Sequence, residues 1–239
     1  LSTPASLSFN NLDQLILLKA CALAGVELLT YLGSSCMYPE ALDRSLSPED
    51  MLTGPLEQSS QDYALVKLCG AGLCDAVSRE FGYGYFSIIP SNVYGPRDEY
   101  GGDRMHVVNA LCDRALDTRQ RGERSLKCGG SGRPIRDFLF VTDFAEAVMR
   151  LIQNGTLKSV IVNIGSGMGT SISNLAAIIA QSADLTEGVF FDVSIPDGAR
   201  YKVLNSDFIR KLGWTPKVSL EDGIKETMAW IKMKRNGEL

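Results

Sequence analysis

The sequence predicts an α/β fold built on a parallel sheet. Two observations carry that expectation. Apolar runs of strand length alternate with longer helix-like segments along the chain, and the runs are apolar throughout rather than on every second residue. Helices lying between buried strands imply parallel pairing through right-handed crossovers.

Each element follows from its local pattern. Residues 12–24 read as a helix that is apolar nearly all round, closed by Gly25, so this helix is buried or pairs with another. Residues 26–32 read as a buried strand ending in Gly33-Ser34-Ser35-Cys36. Residues 37–61 form a long polar connection containing Pro39, Pro48, Gly54 and Pro55, and connections of that length are usually functional. A second helix is expected over 62–81, stopped by Gly82, and a buried strand over 85–89 leads into Pro90-Ser91-Asn92-Val93-Tyr94-Gly95-Pro96. A third helix over 103–118 precedes an arginine-rich turn at Arg119, Arg121 and Arg124. Then follow a strand over 138–141, a helix over 143–153, a strand over 160–164 and a helix over 171–180. A strand over 189–195, a short helix over 206–212 and an amphipathic helix over 219–232, capped by Ser219, complete the chain.

Composition limits the function classes. With 239 residues, 45% of them hydrophobic and 22% charged, the chain can bury a core without staples. A net charge of −4 argues against nucleic acid or an anionic membrane surface as partner, since both demand a basic face. The six cysteines show no repeated C-x-x-C pairing and read as reduced thiols of a cytoplasmic protein. A single histidine, His106, argues against a zinc site. No stretch of about 18 apolar residues is free of charge, so no membrane span is expected. Run 15–29 comes nearest and is interrupted by Lys19 and Glu27. Lys19 is also the first basic residue, too late to open a signal peptide.

Two sets of residues can do chemistry. Tyr63 and Lys67 are four apart at the start of the second helix and share a face. An ammonium beside a phenol is expected to lower the tyrosine pKa toward neutrality, so that it exchanges a proton with a substrate oxygen. The same spacing also occurs in an ordinary exposed pair. Ser34, Ser35 and Cys36 follow a buried strand, and ligands of open parallel sheets bind outside the carboxyl ends of the strands. Serine hydroxyls there can hold a substrate oxygen, and a thiol there can move a proton if its pKa falls. An ordinary strand-to-loop turn would look the same.

Taken together, the segments are specific. Leu32-Gly33-Ser34-Ser35-Cys36-Met37-Tyr38-Pro39, Leu52-Thr53-Gly54-Pro55-Leu56-Glu57, Tyr63-Ala64-Leu65-Val66-Lys67 and Pro90-Ser91-Asn92-Val93-Tyr94-Gly95-Pro96 resemble the extended short-chain dehydrogenase/reductases, and within them the GDP-L-fucose synthase family. The likeness continues through Gly132-Arg133-Pro134-Ile135-Arg136-Asp137-Phe138, Val162-Asn163-Ile164-Gly165-Ser166-Gly167, Pro196-Asp197-Gly198 and Leu212-Gly213-Trp214-Thr215-Pro216-Lys217. The resemblance implies a partial Rossmann-type parallel sheet over residues 1–100, lacking its first strands. A smaller α/β substrate-binding domain is expected over 101–239, with the strand near 160–165 returning to the Rossmann sheet.

It also implies an NADP(H)-dependent epimerase-reductase that inverts C3 and C5 of GDP-4-keto-6-deoxymannose and then reduces the C4 ketone. Tyr63 would be the proton donor at the C4 oxygen, Lys67 its electrostatic partner and ribose anchor, and Ser34 a ligand of the same oxygen. Those three would meet the cofactor. Cys36 and His106 match the acid/base pair of epimerisation. Asn92, Arg114, Arg136 and Lys202 match substrate-side residues, and an arginine fork suits phosphate oxygens. The family pairs the helices over 12–24 and 62–81 into a homodimer. Alternatives are a family member that binds nucleotide sugar without cofactor turnover, and a reductase or epimerase of another nucleotide sugar.

Several positions depart from the family. No Gly-x-x-Gly-x-x-Gly turn occurs, the chain opens on Leu1, and about a quarter of the usual dinucleotide domain is expected to be missing. The strand over 26–32 would then show a bare edge, covered by another chain, by residues 1–9, or not at all. The superfamily's helix asparagine aligns with Ile16, a pocket aromatic with Gly129 and an acidic residue with Asn205.

Overall fold

The computed structural model describes residues 4–101, 105–154 and 160–238. Helix α1 (Pro4–Leu23) leads to strand β1 (Leu28–Leu32). The helix starts two turns before the apolar run, since Pro4 opens a helix at no hydrogen-bond cost. The strand starts later than expected, because Val26 belongs to the helix cap: Gly25 has φ 73 and the Val26 N–H returns to the Cys21 carbonyl at 3.0 Å. Helix α2 (Gln61–Phe81) ends at Gly82, left-handed at φ 71, and strand β2 (Gly84–Pro90) follows. Next come β3 (Asn92–Tyr94), α3 (Val107–Gln120), β4 (Leu126–Gly129), β5 (Ile135–Phe140), α4 (Val141–Asn154) and β6 (Ile161–Ile164). Strand β7 (Gly169–Ser171), α5 (Ile172–Ser182), β8 (Val189–Asp192), β9 (Tyr201–Lys202), α6 (Asp207–Lys211) and α7 (Leu220–Arg235) complete the order.

Three strands pair in the parallel order β1-β2-β6, with Leu32 opposite Ile88 and Ile88 opposite Val162. One core joins Leu18 of α1, Tyr31 of β1, Cys74 and Val77 of α2 and Tyr85 of β2. A second gathers Phe86, Ile88, Val162 and Ile164 with Ala147 and Leu151 of α4 and the fully buried Trp214. Among the described residues no strand pairs with the other edge of β1. Residues 4–9, one of the candidates to cover it, are helical.

Strand β5 is the hub of a second sheet. Its end runs parallel to β3 and its start runs parallel to β9, while β7 lies antiparallel to it. That antiparallel pair departs from the all-parallel expectation: after α4 and β6 the chain passes through Gly165–Met168 straight into β7, which lies against β5 in the opposite direction. Strands β3, β7 and β9 are too short to read as apolar runs. β4 and β8 form a separate parallel pair above a large core shared by α3, α5 and α7.

The connection over 37–61 is tied down. Tyr38 Oη donates to Asn163 Oδ1 at 2.6 Å, Asn163 Nδ2 donates to the Leu46 carbonyl at 2.8 Å, and Leu46 bridges to Leu204. Helix α3 begins at Val107, and His106 (φ −67, ψ 156) is its extended cap rather than part of it. Residues 103 and 104, the start of the expected helix, lie outside the described residues. Among the described residues no helix is long and apolar enough to cross a membrane.

Candidate active site

The turns after β1 and β2 open on one cavity of about 1070 Å³. Gly33, Ser34, Ser35 and Cys36 follow β1, and Ser91 and Asn92 follow β2. Tyr63 reaches in from the first turn of α2, His106 and Val107 from the start of α3, and Arg136 from β5. Such a crevice forms because parallel strands all end on one side of the sheet. The turn after β1 is tight. A side chain at Gly33 would run into Ile89 Cδ1 and Met37 Sδ. Ser34 accepts the Cys36 N–H at 3.2 Å and caps the short helical turn Ser35–Met37.

Of the residues singled out in sequence, Ser34, Cys36, Tyr63, Asn92, His106 and Arg136 line this cavity. Lys67 does not. It is buried behind Tyr63, its Nζ 5.8 Å from that ring and 5.1 Å from the Tyr31 ring. Its ammonium donates to the Leu32 carbonyl at 2.8 Å and to Gln14 Oε1 at 2.9 Å. Lys202 lies next to Arg136 in register, paired with Glu57 Oε2 at 2.5 Å. Arg114 is on an adjoining groove of about 630 Å³ with Lys127, Cys128, Gly129, Phe190 and Ile195, and donates to the Lys127 carbonyl at 3.0 Å.

The electrostatics of Tyr63 differ from the sequence expectation. Burial pushes its phenol pKa up, a hydrogen bond from Ser34 pulls it down, and Cys36 nearby raises it further. The neighbouring lysine was expected to draw it toward neutrality, but its ammonium is directed at the β1 carbonyl and Gln14, and burial lowers Lys67 in turn. Tyr63 therefore keeps its phenol proton at neutral pH. Arg136 is lowered by burial, an effect opposed by Glu57, Asp197 and Cys36 around it.

The structure adds residues the sequence reading missed. Gln14, two positions before Ile16, supplies the amide that Lys67 uses, while Ile16 itself is 67% exposed. Asn205 is structural: it donates to Ser47 Oγ and accepts the Asp207 N–H. The space beside Gly129 is filled by Ile195. Asp137 is buried, and its two oxygens accept from Ser166 N and Oγ, Gly167 N and Leu204 N, while its carbonyl accepts from Asn92 Nδ2 at 3.0 Å. It thereby fixes the neighbours of Arg136. Ser60 and Ser91 line the cavity, and their hydroxyls have no partner among the described residues. No group of three His, Cys, Asp or Glu among the described residues is placed to hold a metal ion.

A dinucleotide would meet a divided site. Tyr63, Ser34 and the buried Lys67 suit its nicotinamide and ribose end, because they offer a proton donor, a hydroxyl and a cation at the end of a parallel strand. Neither of the chain's two glycine-rich turns, Gly129-Gly130-Ser131-Gly132 and Gly165-Ser166-Gly167-Met168-Gly169, offers a place for the diphosphate. The Ser166 and Gly167 N–H groups are already taken by Asp137, and the Ser131 N–H by Asp197. Carboxylates stand where an anion would have to lie.

Comparison with known proteins bears on the family and the fold. Residues 4–165 match the model of the NAD dependent epimerase/dehydratase family. The chain is 39% identical over 204 residues to a GDP-L-fucose synthase of Sinorhizobium fredii, covering 85% of this chain and 65% of that protein. The chain thus spans about two thirds of the length of such curated relatives. A GDP-L-fucose synthetase from Naegleria fowleri, solved with NADP bound, superposes with a TM-score of 0.79 at 26% identity over 92% of this chain and 70% of that one. A GDP-6-OMe-4-keto-L-xylo-heptose reductase from C. jejuni has the same fold, with a TM-score of 0.88 at 23% identity, covering 98% of this chain and 78% of that one. By its sequence, its strand order and the residues its sheet gathers, the chain belongs to the NAD dependent epimerase/dehydratase family.

Proposed function

We propose that this chain carries the substrate-handling and proton-transfer part of an NADPH-dependent epimerase-reductase converting GDP-4-keto-6-deoxymannose to GDP-L-fucose. One observation supports the reading above all: Ser34, Cys36, Tyr63 and His106 line a single cavity with Arg136. A bound NADPH supplies the hydride for the ketone carbon. Tyr63 gives its phenol proton to the ketone oxygen, which Ser34 also holds. Protons alpha to that ketone are acidic, and Cys36 and His106 on different walls serve as the base and acid that invert a centre. Arg136 meets phosphate or sugar oxygens inside the cavity, Asn92 forms part of its wall, Arg114 offers a cation on the groove beyond it, and Lys202, paired with Glu57, stands beside Arg136.

In this reading residues 1–100 and the strand near 160–165 form the dinucleotide side, and the remainder of 101–239 forms the sugar side. The protein works in the cytoplasm as a homodimer. The dimer is supported by the outward face of α1 and α2, where Ile16 is 67%, Leu17 62% and Leu65 45% exposed. Apolar surface of that size on adjacent helices favours a helix-on-helix contact.

The two half-reactions separate experimentally. Incubated with GDP-4-keto-6-deoxymannose in deuterated buffer, the chain is expected to place deuterium at C3 and C5. Label no faster than buffer alone would defeat the assignment. Oxidation of NADPH tests the reductive half. One observation favours the alternative, sugar binding without cofactor turnover by these 239 residues taken alone: both glycine-rich turns are closed by carboxylates. Titration with NADPH decides between the two, since saturable tight binding excludes the alternative.

A further inference from the structure

His106 has a partner that neither the sequence motifs nor the reaction assigns. The turn Tyr94-Gly95-Pro96-Arg97-Asp98 bends through Gly95 at φ 145 and Arg97 at φ 69, a conformation uncommon for a residue with a side chain. The turn delivers Asp98, its side chain 19% exposed, onto the imidazole of His106, 69% exposed. Both carboxylate oxygens stand 3.0 Å from Nδ1, and Oδ1 also accepts the Glu99 N–H at 2.8 Å. Among the described residues Nε2 has no protein partner.

A carboxylate only accepts, so Nδ1 keeps its proton in both the neutral and the charged ring. Nε2 is then the atom that gains and loses the mobile proton. His106 also caps α3, so its backbone is held in place at the mouth of the cavity. An ion pair this exposed adds little to stability, so the fold does not account for it.

We propose that Asp98 is a positioning residue for His106, fixing the Nδ1–H tautomer and leaving Nε2 to exchange protons with a sugar in the cavity. The proposal rests on the reading of His106 as an epimerisation acid or base, and its test separates the two.

His106 is the one histidine of the chain, so its ring nitrogens are the only imidazole signals in a nitrogen NMR spectrum. With the ring neutral, the unsubstituted chain is expected to show Nδ1–H. In Asp98→Asn the amide oxygen can keep the Glu99 N–H while the amide nitrogen donates to Nδ1, which reverses the tautomer to Nε2–H. Asp98→Glu restores Nδ1–H. A predominant Nε2–H form in the unsubstituted chain, or an unchanged tautomer in Asp98→Asn, overturns the proposal. A matching thermal melt shows that the variant folds. Deuterium uptake into the keto sugar is expected to fall by about tenfold or more in kcat with KM unchanged, a part of the roughly 10²–10⁴-fold that acid–base assistance contributes. Normal uptake in Asp98→Asn also overturns the proposal. No uptake by the unsubstituted chain overturns the epimerase reading instead, and the tautomer measurement still decides the role of Asp98.

Discussion

Tyr63 shows how far a spacing can mislead about a charge. Four residues separate it from Lys67, and the two do share a helix face, but the lysine ammonium is spent on the Leu32 carbonyl and Gln14. Burial then governs the phenol and keeps it protonated. Replacing Tyr63 by Phe should cut NADPH oxidation on the keto sugar by about 10²-fold or more, the scale of a lost general acid, while deuterium uptake at C3 and C5 persists. Cys36→Ser should do the reverse, impairing uptake more than reduction. Equal losses in both assays for both variants would show that the roles are not divided between these side chains. Ser34, Cys36 and Tyr63 could be singled out in sequence because each sits in a motif, and His106 because the family resemblance aligns it with an acid/base position. Gln14 and Asp98 could not, because their importance lies in the side chain each faces across space.

Elements meet here at distances set by small residues and by one buried carboxylate. Gly70 on α2 lies against the ring of Tyr31 on β1, and a methyl group at that position would overlap the ring. The ring has little freedom, being buried and stacked by Lys67. Gly70→Ala should therefore destabilise the chain by about 1–3 kcal/mol in urea unfolding, the scale of core overpacking, despite the helix preference of alanine. Asp137 ties β5 to the turn after β6 and to Leu204. Asp137→Asn presents an amide to donors that need acceptors and is expected to cost about 2–3 kcal/mol. An unfolding midpoint unchanged in either variant would contradict the corresponding contact. The sequence placed a strand only after Asp137, because two charged residues look like a loop. In the structure Arg136 and Asp137 belong to the strand, since buried donors satisfy the carboxylate.

Across the whole molecule, burial leaves a pH signature. Cys74 is pushed up to about 11 and Cys112 to about 12 from an ordinary thiol value of 9.0, and Tyr31, Tyr38 and Tyr94 are raised as well. A raised folded-state value means stability that is complete below the unfolded value and lost as pH climbs through the folded one. Melting temperature should thus be level to about pH 9 and fall steadily through pH 11 to 12. A level profile across that range would show that these groups ionise as easily folded as unfolded. The sequence by itself determined the α/β class and the helices around 62–81 and 219–232, because alternation, caps and apolar runs are local signals. Tertiary structure alone decided that β7 runs antiparallel to β5, that Lys67 stands behind the cavity while Arg136 lines it, and that Asp98 meets His106. Those outcomes depend on which surfaces arrive within a few ångströms of one another after the sheets have formed, and no short stretch of chain encodes that distance.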